Sequence, residues 1–195
     1  MEITNNKNDK KKTRTVKIIY NNGDIYSGDL KDDKKTGLGY FKKMDGRLYR
    51  GEFKDDKMWG LGIFSNSKGK VYKGRLVRNK AEGMGCLDLP NGEQYKGQFS
   101  NNMRNGYGIY KFRNGDIYKG SWKNGLFEGY GIYTFASKAK YKGQFKRGQR
   151  DGVGIYRYKD GSMIWKGEYK EGVIKEGVIR RSSYITDITH KDVIS

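Results

Sequence analysis

Tyr118-Lys-Gly-Ser-Trp122-Lys-Asn-Gly-Leu-Phe-Glu-Gly129-Tyr-Gly131-Ile-Tyr133-Thr-Phe135 is the stretch that decides the fold. Its first five residues alternate large and small, as a strand with one packed face does. Asn124-Gly125 tolerates a left-handed backbone and so marks a turn. Gly129-Tyr130-Gly131 then opens a second strand carrying Tyr133. The same pattern lies on both sides. Tyr26, Tyr49, Tyr72, Tyr95, Tyr118 and Tyr141 are 23 residues apart, and after one extra residue Trp165 takes the same place. A fixed period of this length means stacked supersecondary units, none of which can bury its apolar face alone.

With the opening aromatic numbered 1, position 5 is Leu30, Phe53, Leu76, Phe99, Trp122, Phe145 and Tyr169. Position 8 is Asp33, Asp56, Asn79, Asn102, Gly125, Gly148 and Gly172, residues that turn easily. Gly-x-Gly follows at Gly37/Gly39, Gly60/Gly62, Gly83/Gly85, Gly106/Gly108, Gly129/Gly131 and Gly152/Gly154. A second turn closes each unit at Asn22-Gly23, Asp45-Gly46, Lys68-Gly69, Asn91-Gly92, Asn114-Gly115 and Asp160-Gly161, with Ser137-Lys138 the exception. A two-residue loop there would pair Arg113 with Asp116 and set Tyr118 opposite Lys111. A three-residue loop with a glycine bulge pairs Phe112 with Asp116, Tyr110 with Tyr118 and Gly108 with Gly120. The second register is predicted, because it gathers the recurrent glycines and rings on one face.

The motif resembles the MORN repeat: a Tyr-x-Gly-x-aromatic strand, a turn, a Gly-x-Gly strand and a closing glycine over 23 residues. Six full copies and a degenerate seventh, which lacks Gly-x-Gly and keeps only Gly177, carry the resemblance. It implies an all-β fold, an elongated single-layer antiparallel sheet of tandem β-hairpins. It also implies tethering roles among membranes, cytoskeleton and partner proteins, with phospholipid binding among them. The predicted organisation is a flexible basic tail over 1–15, a repeat domain over 16–179 with a half-repeat cap at 16–25, and a C-terminal tail over 180–195.

With 29 glycines and one proline in 195 residues, the composition suits a sheet of glycines and rings. One cysteine and one histidine leave neither an intramolecular disulfide nor a zinc constellation, so no metal or cofactor is expected. No helix-length apolar run crosses a bilayer, and Met1–Thr15 lacks the apolar segment of a signal peptide, so a cytoplasmic location is expected. Gly-x-Gly recurs between strands without the third glycine and helix of a dinucleotide loop. His190 lies in the tail, and Cys86 occupies a position filled by isoleucine in other copies. No catalytic residue and no small-molecule substrate are expected.

Most of the net +19 falls within the repeats. Position 2 is Arg50, Lys73, Lys96, Lys119, Lys142 and Lys166, with Ser27 in the first copy, and equivalent positions stack into a cationic column. This column is the candidate surface for anionic phospholipid. Beside it, on the face opposite the tyrosines, position 13 (Leu61, Tyr107, Tyr130 and Val153 among others) and position 15 (Ile63, Ile109, Ile132 and Ile155) form an apolar ladder. This is the candidate groove for a protein partner or a second copy. The expected function is a non-catalytic scaffold or adaptor, peripheral at a membrane or cytoskeletal structure. Nucleic acid ranks last among partners, because no reader motif accompanies the charge.

Overall fold

The computed structural model describes residues 13–160, 163–181 and 184–189, and it divides into two compact units, 1–82 and 83–195. In the first, β1 (Arg14–Ile19), β2 (Ile25–Lys31), β3 (Lys34–Lys42), β4 (Leu48–Lys54), β5 (Lys57–Ser65) and β6 (Val71–Val77) pair antiparallel in chain order. The unit boundary falls inside β7 (Lys80–Asp88). In the second unit, β7 pairs with β8 (Gln94–Ser100), followed in order by β9 (Met103–Lys111), β10 (Ile117–Lys123), β11 (Leu126–Thr134), β12 (Lys140–Lys146) and β13 (Gln149–Arg157). β14 (Met163–Lys170), β15 (Val173–Arg181) and β16 (Tyr184–Thr189) complete it. The fold is all-β and antiparallel. The segment read above as a C-terminal tail carries a strand, β16, while 1–12 and His190 lie outside the described residues.

The second turns have the predicted register. Phe112 donates its amide to Asp116 (2.9 Å), Gly115 stands at φ 89°, and Tyr110 and Gly108 face Tyr118 and Gly120. The loop is the same at Ser137-Lys138, where Lys138 itself takes φ 74° in place of glycine. Gly161 is outside the described residues.

The first turns hold more than their sequence suggests. Both central residues are left-handed in all seven of these turns, from Asp32-Asp33 and Asp55-Asp56 to Arg147-Gly148 and Glu171-Gly172, the type I′ geometry that matches strand twist. Successive turns are stitched together: the position-8 amide donates to the position-10 carbonyl of the preceding copy, as in Asn79 to Met58 (3.0 Å) and Gly125 to Arg104 (2.9 Å). Asp56 and Asn79 return a side-chain oxygen to the amides of Lys35 and Met58. Their polar side chains therefore close a hydrogen bond as well as permitting the turn.

Within the hairpins β2–β3, β4–β5, β8–β9, β10–β11 and β12–β13 the register shifts just after the facing glycines. Gly120 faces Gly131, yet Trp122 faces Phe127, so the second strand carries two extra residues at the start of Gly-x-Gly. The first of those glycines takes a positive φ, as at Gly60 (64°) and Gly129 (68°). The shift opens the ladder beside position 4, and the tyrosine hydroxyl closes it. Tyr26, Tyr49, Tyr72, Tyr95, Tyr118 and Tyr141 each donate to the carbonyl three residues on, at 2.8–3.1 Å. All six rings are buried; Tyr26, Tyr49, Tyr95, Tyr118 and Tyr141 lie over the paired glycines, and the last four of these pack edge-on against the aromatic at position 5, as in Tyr95 against Phe99 at 5.1 Å.

Tyrosine is thus required where phenylalanine would fill the space equally well. Tyr118→Phe should cost about 1–3 kcal/mol in urea unfolding, because it leaves the half-buried Ser121 carbonyl without this donor. A loss within error would show that this carbonyl has another partner. At Trp165 the indole Nε1 is buried and has no acceptor among the described residues, so the last copy lacks this closure.

A second set of polar links joins neighbouring copies. The Asp24 carboxylate accepts from the Met44 amide (3.0 Å), and Asp116 accepts from the Ala136 amide (2.7 Å), the Tyr133 hydroxyl (2.6 Å) and Asn114 (3.0 Å). Burial pushes the Asp116 carboxyl up, but these donors outweigh it and hold the group below the usual aspartate range.

Candidate functional site

Within each unit the cationic column and the apolar ladder lie on one surface. In the second unit the strand pairing sets Lys96 opposite Cys86 and Ile109, Lys119 opposite Ile109 and Ile132, Lys142 opposite Ile132 and Ile155, and Lys166 opposite Ile155 and Val178. In the first unit Arg50 faces Tyr40 and Ile63, and Lys73 faces Ile63. Strands lie about 4.8 Å apart, so cations recur about every 9.6 Å with one aliphatic or aromatic group between them. All six cations are exposed. Ile63 and Ile155 are exposed too, whereas Ile109 and Ile132 are half-buried between their flanking lysine stems.

The next row holds position 13. The register shift pushes these side chains outward, so that exposure runs from 55% for Tyr130 to 72% for Leu38, with Leu61, Met84, Tyr107 and Val153 between. In the second unit this row alternates with neutral position-4 residues: Tyr107 faces Ser121, Tyr130 faces Gln144 and Met84 faces Gln98. In the first unit Leu38 faces Glu52. The second unit therefore presents lysines beside an apolar row with no acid in it until Val153 meets Glu168.

Position 4 was not legible as a structural device. Its side chains cap the outward-pushed residues: Gln98 Oε1 accepts from the Tyr107 amide (2.7 Å), Gln144 Oε1 from Val153 (3.0 Å) and Glu52 Oε1 from Leu61 (2.9 Å). The only sequence signal is the recurrence of Glu or Gln three residues after tyrosine.

On the tyrosine face, position 10 supplies cations that cover rings. The Arg104 guanidinium stands 4.4 Å from the Trp122 ring and 4.8 Å from Tyr110, and donates to the Gly125 carbonyl. Arg150 does the same over Tyr169 (4.7 Å) with Gly172. A cleft of about 470 Å³ in the first unit lies among Lys35, Phe41, Tyr49, Phe53, Met58 and Phe64. One of about 210 Å³ in the second is lined by Phe127, Tyr133, Phe135, Phe145 and Arg150, among others. The described residues contain no cluster of three His, Cys, Asp or Glu.

No curated protein matches the chain. Among solved structures, it is similar to the TCP domain of SAS-4 (dCPAP) of Drosophila melanogaster, determined in complex with a proline-rich motif of Ana2 (dSTIL). That likeness is one of fold, at 12% identity over 90% of this chain and 89% of that one, with a TM-score of 0.50. The TCP10 domain of Danio rerio CPAP aligns at 10% identity over 90% and 89%, with a TM-score of 0.49. The MORN repeat matches at residues 26–46, 49–71, 72–94, 95–117, 118–140 and 141–163. Those six matches begin at the six tyrosines whose hydroxyls close the shifted ladder, and the chain belongs to the MORN-repeat family.

Proposed function

We propose that the protein is a non-catalytic scaffold that holds a protein partner, or a second copy of itself, against the surface opposite the tyrosines. The observation that supports this reading most is the outward-pushed apolar row. In the second unit Met84, Tyr107, Tyr130 and Val153 at position 13 are more than half exposed, in register with a cationic row, and Leu38 and Leu61 are likewise exposed in the first. Apolar groups repeated in this way make a contiguous patch of the kind that partners cover. In the second unit the fitting partner is an acidic, amphipathic segment, since lysines flank each isoleucine and the position-4 residues beside Met84, Tyr107 and Tyr130 are neutral.

Ile109→Asp with Ile132→Asp should abolish assembly while keeping the strand signal in circular dichroism. Light scattering on a sizing column checks self-association, and co-purification checks a partner. A strictly monomeric parent at tens of micromolar that retains no partner would sink the proposal.

A second reading is that the surface meets anionic phospholipid at a membrane, or a cytoskeletal structure. It is supported by the exposure of Arg50, Lys73, Lys96, Lys119, Lys142 and Lys166. Because column and ladder share a surface, charge reversal at Lys96, Lys119 and Lys142 weakens both kinds of contact. Salt separates them. Vesicle co-sedimentation should fall away between low and physiological ionic strength, whereas a contact with apolar anchors persists.

A further inference from the structure

The tyrosine face of the second unit carries a feature that packing of the repeats does not require. Tyr110, Phe112, Tyr133, Phe135, Tyr156 and Tyr158 form one unbroken zigzag of rings. Successive centroids are 4.7, 5.6, 4.8, 5.6 and 5.0 Å apart. They come as pairs at positions 16 and 18 of three consecutive copies. In the first two copies position 18 is Lys43 and Asn66, and those turns close with the same hydrogen bonds. The second ring of each pair is therefore surplus to the fold. Apart from Tyr110, the rings are half-buried or exposed, and Tyr133 and Phe135 line the cleft of about 210 Å³ together with Phe145 and Arg150.

We propose that this aromatic ribbon is a second binding site, distinct from the opposite surface, and that it takes a proline-rich segment in the polyproline II conformation with acidic residues among the prolines. The spacing carries the assignment. A ring pair recurs once per two strands, about 9.6 Å along the sheet. A polyproline II chain turns once per three residues of 3.1 Å rise, about 9.3 Å. A segment running across the strands sets one proline ring into each successive notch and drifts by less than about 1 Å over three copies. Such a segment is already extended and loses little freedom on docking, and its apolar rings suit an aromatic-lined groove. Exposed Arg113, Lys138 and Lys159 stand at the three hairpin turns beside the ribbon, one per copy, and select acidic rather than basic intervening residues. An α-helix, with a pitch of about 5.4 Å, does not share the period of the notches.

The test uses the full chain and a synthetic peptide of three Pro-Pro-Asp triplets, with three Gly-Gly-Asp triplets as the control of equal charge. The parent should bind the proline peptide saturably with a sub-millimolar Kd and the control not at all. Phe112→Asn with Phe135→Lys installs residues that other copies already carry at this position. It should keep the strand signal in circular dichroism and weaken binding at least about tenfold. The Ile109→Asp, Ile132→Asp variant, altered on the other surface, should bind the peptide as the parent does, so this site stands or falls independently of the scaffold proposed above. The proposal is overturned by any of four results. These are no saturation by about 1 mM peptide, equal binding of the glycine control, unchanged binding in the Phe112 and Phe135 variant, or loss of binding in the isoleucine variant.

Discussion

Gly120→Val should unfold the second unit at room temperature, with a loss above about 4 kcal/mol in urea titration and collapse of the strand signal in circular dichroism. A Cβ at Gly120 would stand 2.5 Å from the Tyr118 hydroxyl oxygen and 2.6 Å from the Gly131 Cα. Gly131 is backbone and cannot yield. Tyr118 cannot yield either, because its hydroxyl is fixed on the Ser121 carbonyl and its ring lies between Trp122 (5.4 Å) and Phe127 (3.8 Å). The cost is one of space, since Gly120 is not among the residues with positive φ. Gly125→Ala gives the contrast: nothing lies within 4 Å of its Cβ, but φ is 84°, so the penalty is the left-handed backbone alone, about 1 kcal/mol. If the two substitutions cost the same, the rings do not lie over the glycines as described.

The second large effect is alkaline unfolding between pH 10 and 12. Burial pushes the Tyr26, Tyr49, Tyr95 and Tyr141 phenols up to about 12, and the acids Asp29 and Glu52 add to this at the first two. Tyr118 and Tyr169 are raised by burial as well. An unfolded tyrosine titrates near 10. Between the two values the folded state holds more protons than the unfolded one, so stability falls as pH rises. The contribution of neutral phenols is complete below about pH 10 and is lost on passing 12. Phenolate absorbance from the buried set and loss of the strand signal should therefore rise together, in one cooperative step. Ionisation of all sixteen tyrosines with the sheet intact would contradict the hydroxyl-to-carbonyl closure.

Much of this was legible because one period fixes many residues together. Once Tyr118 and Gly120 are aligned with six other starts, only the loop length at Asn114-Gly115 remains to be decided. The preference for keeping rings over glycines selected the register that places Tyr110 opposite Tyr118. The register shift at Gly-x-Gly was not legible. In sequence Gly129-Tyr130-Gly131 continues the alternation of a regular strand, and only the facing pairs Gly120–Gly131 and Trp122–Phe127 reveal two extra residues. Nor was the left-handed backbone at Arg78, Arg147 and Glu171 legible, because those residue types have no preference for it. The stitching between turns and the fixed neighbour at position 8 impose it. The column and ladder were legible as sets of residues. Their interleaving as lysine, isoleucine, lysine follows from the pairing.

The opening tyrosine hydroxyl never leaves its own copy: it bonds the carbonyl three residues on, joined at Tyr49 by a longer bond to the Trp59 carbonyl (3.3 Å), and the polar demand created by the register shift is met inside the copy that creates it. Links between copies recur at constant offsets, so one junction resembles the next. A gene encoding such a chain can gain or lose 23 codons in frame and leave no stranded donor behind. Unequal recombination then acts on the protein as on a ruler. It changes the reach of a surface in steps of one copy, and which rings or lysines occupy each step is left free to diverge.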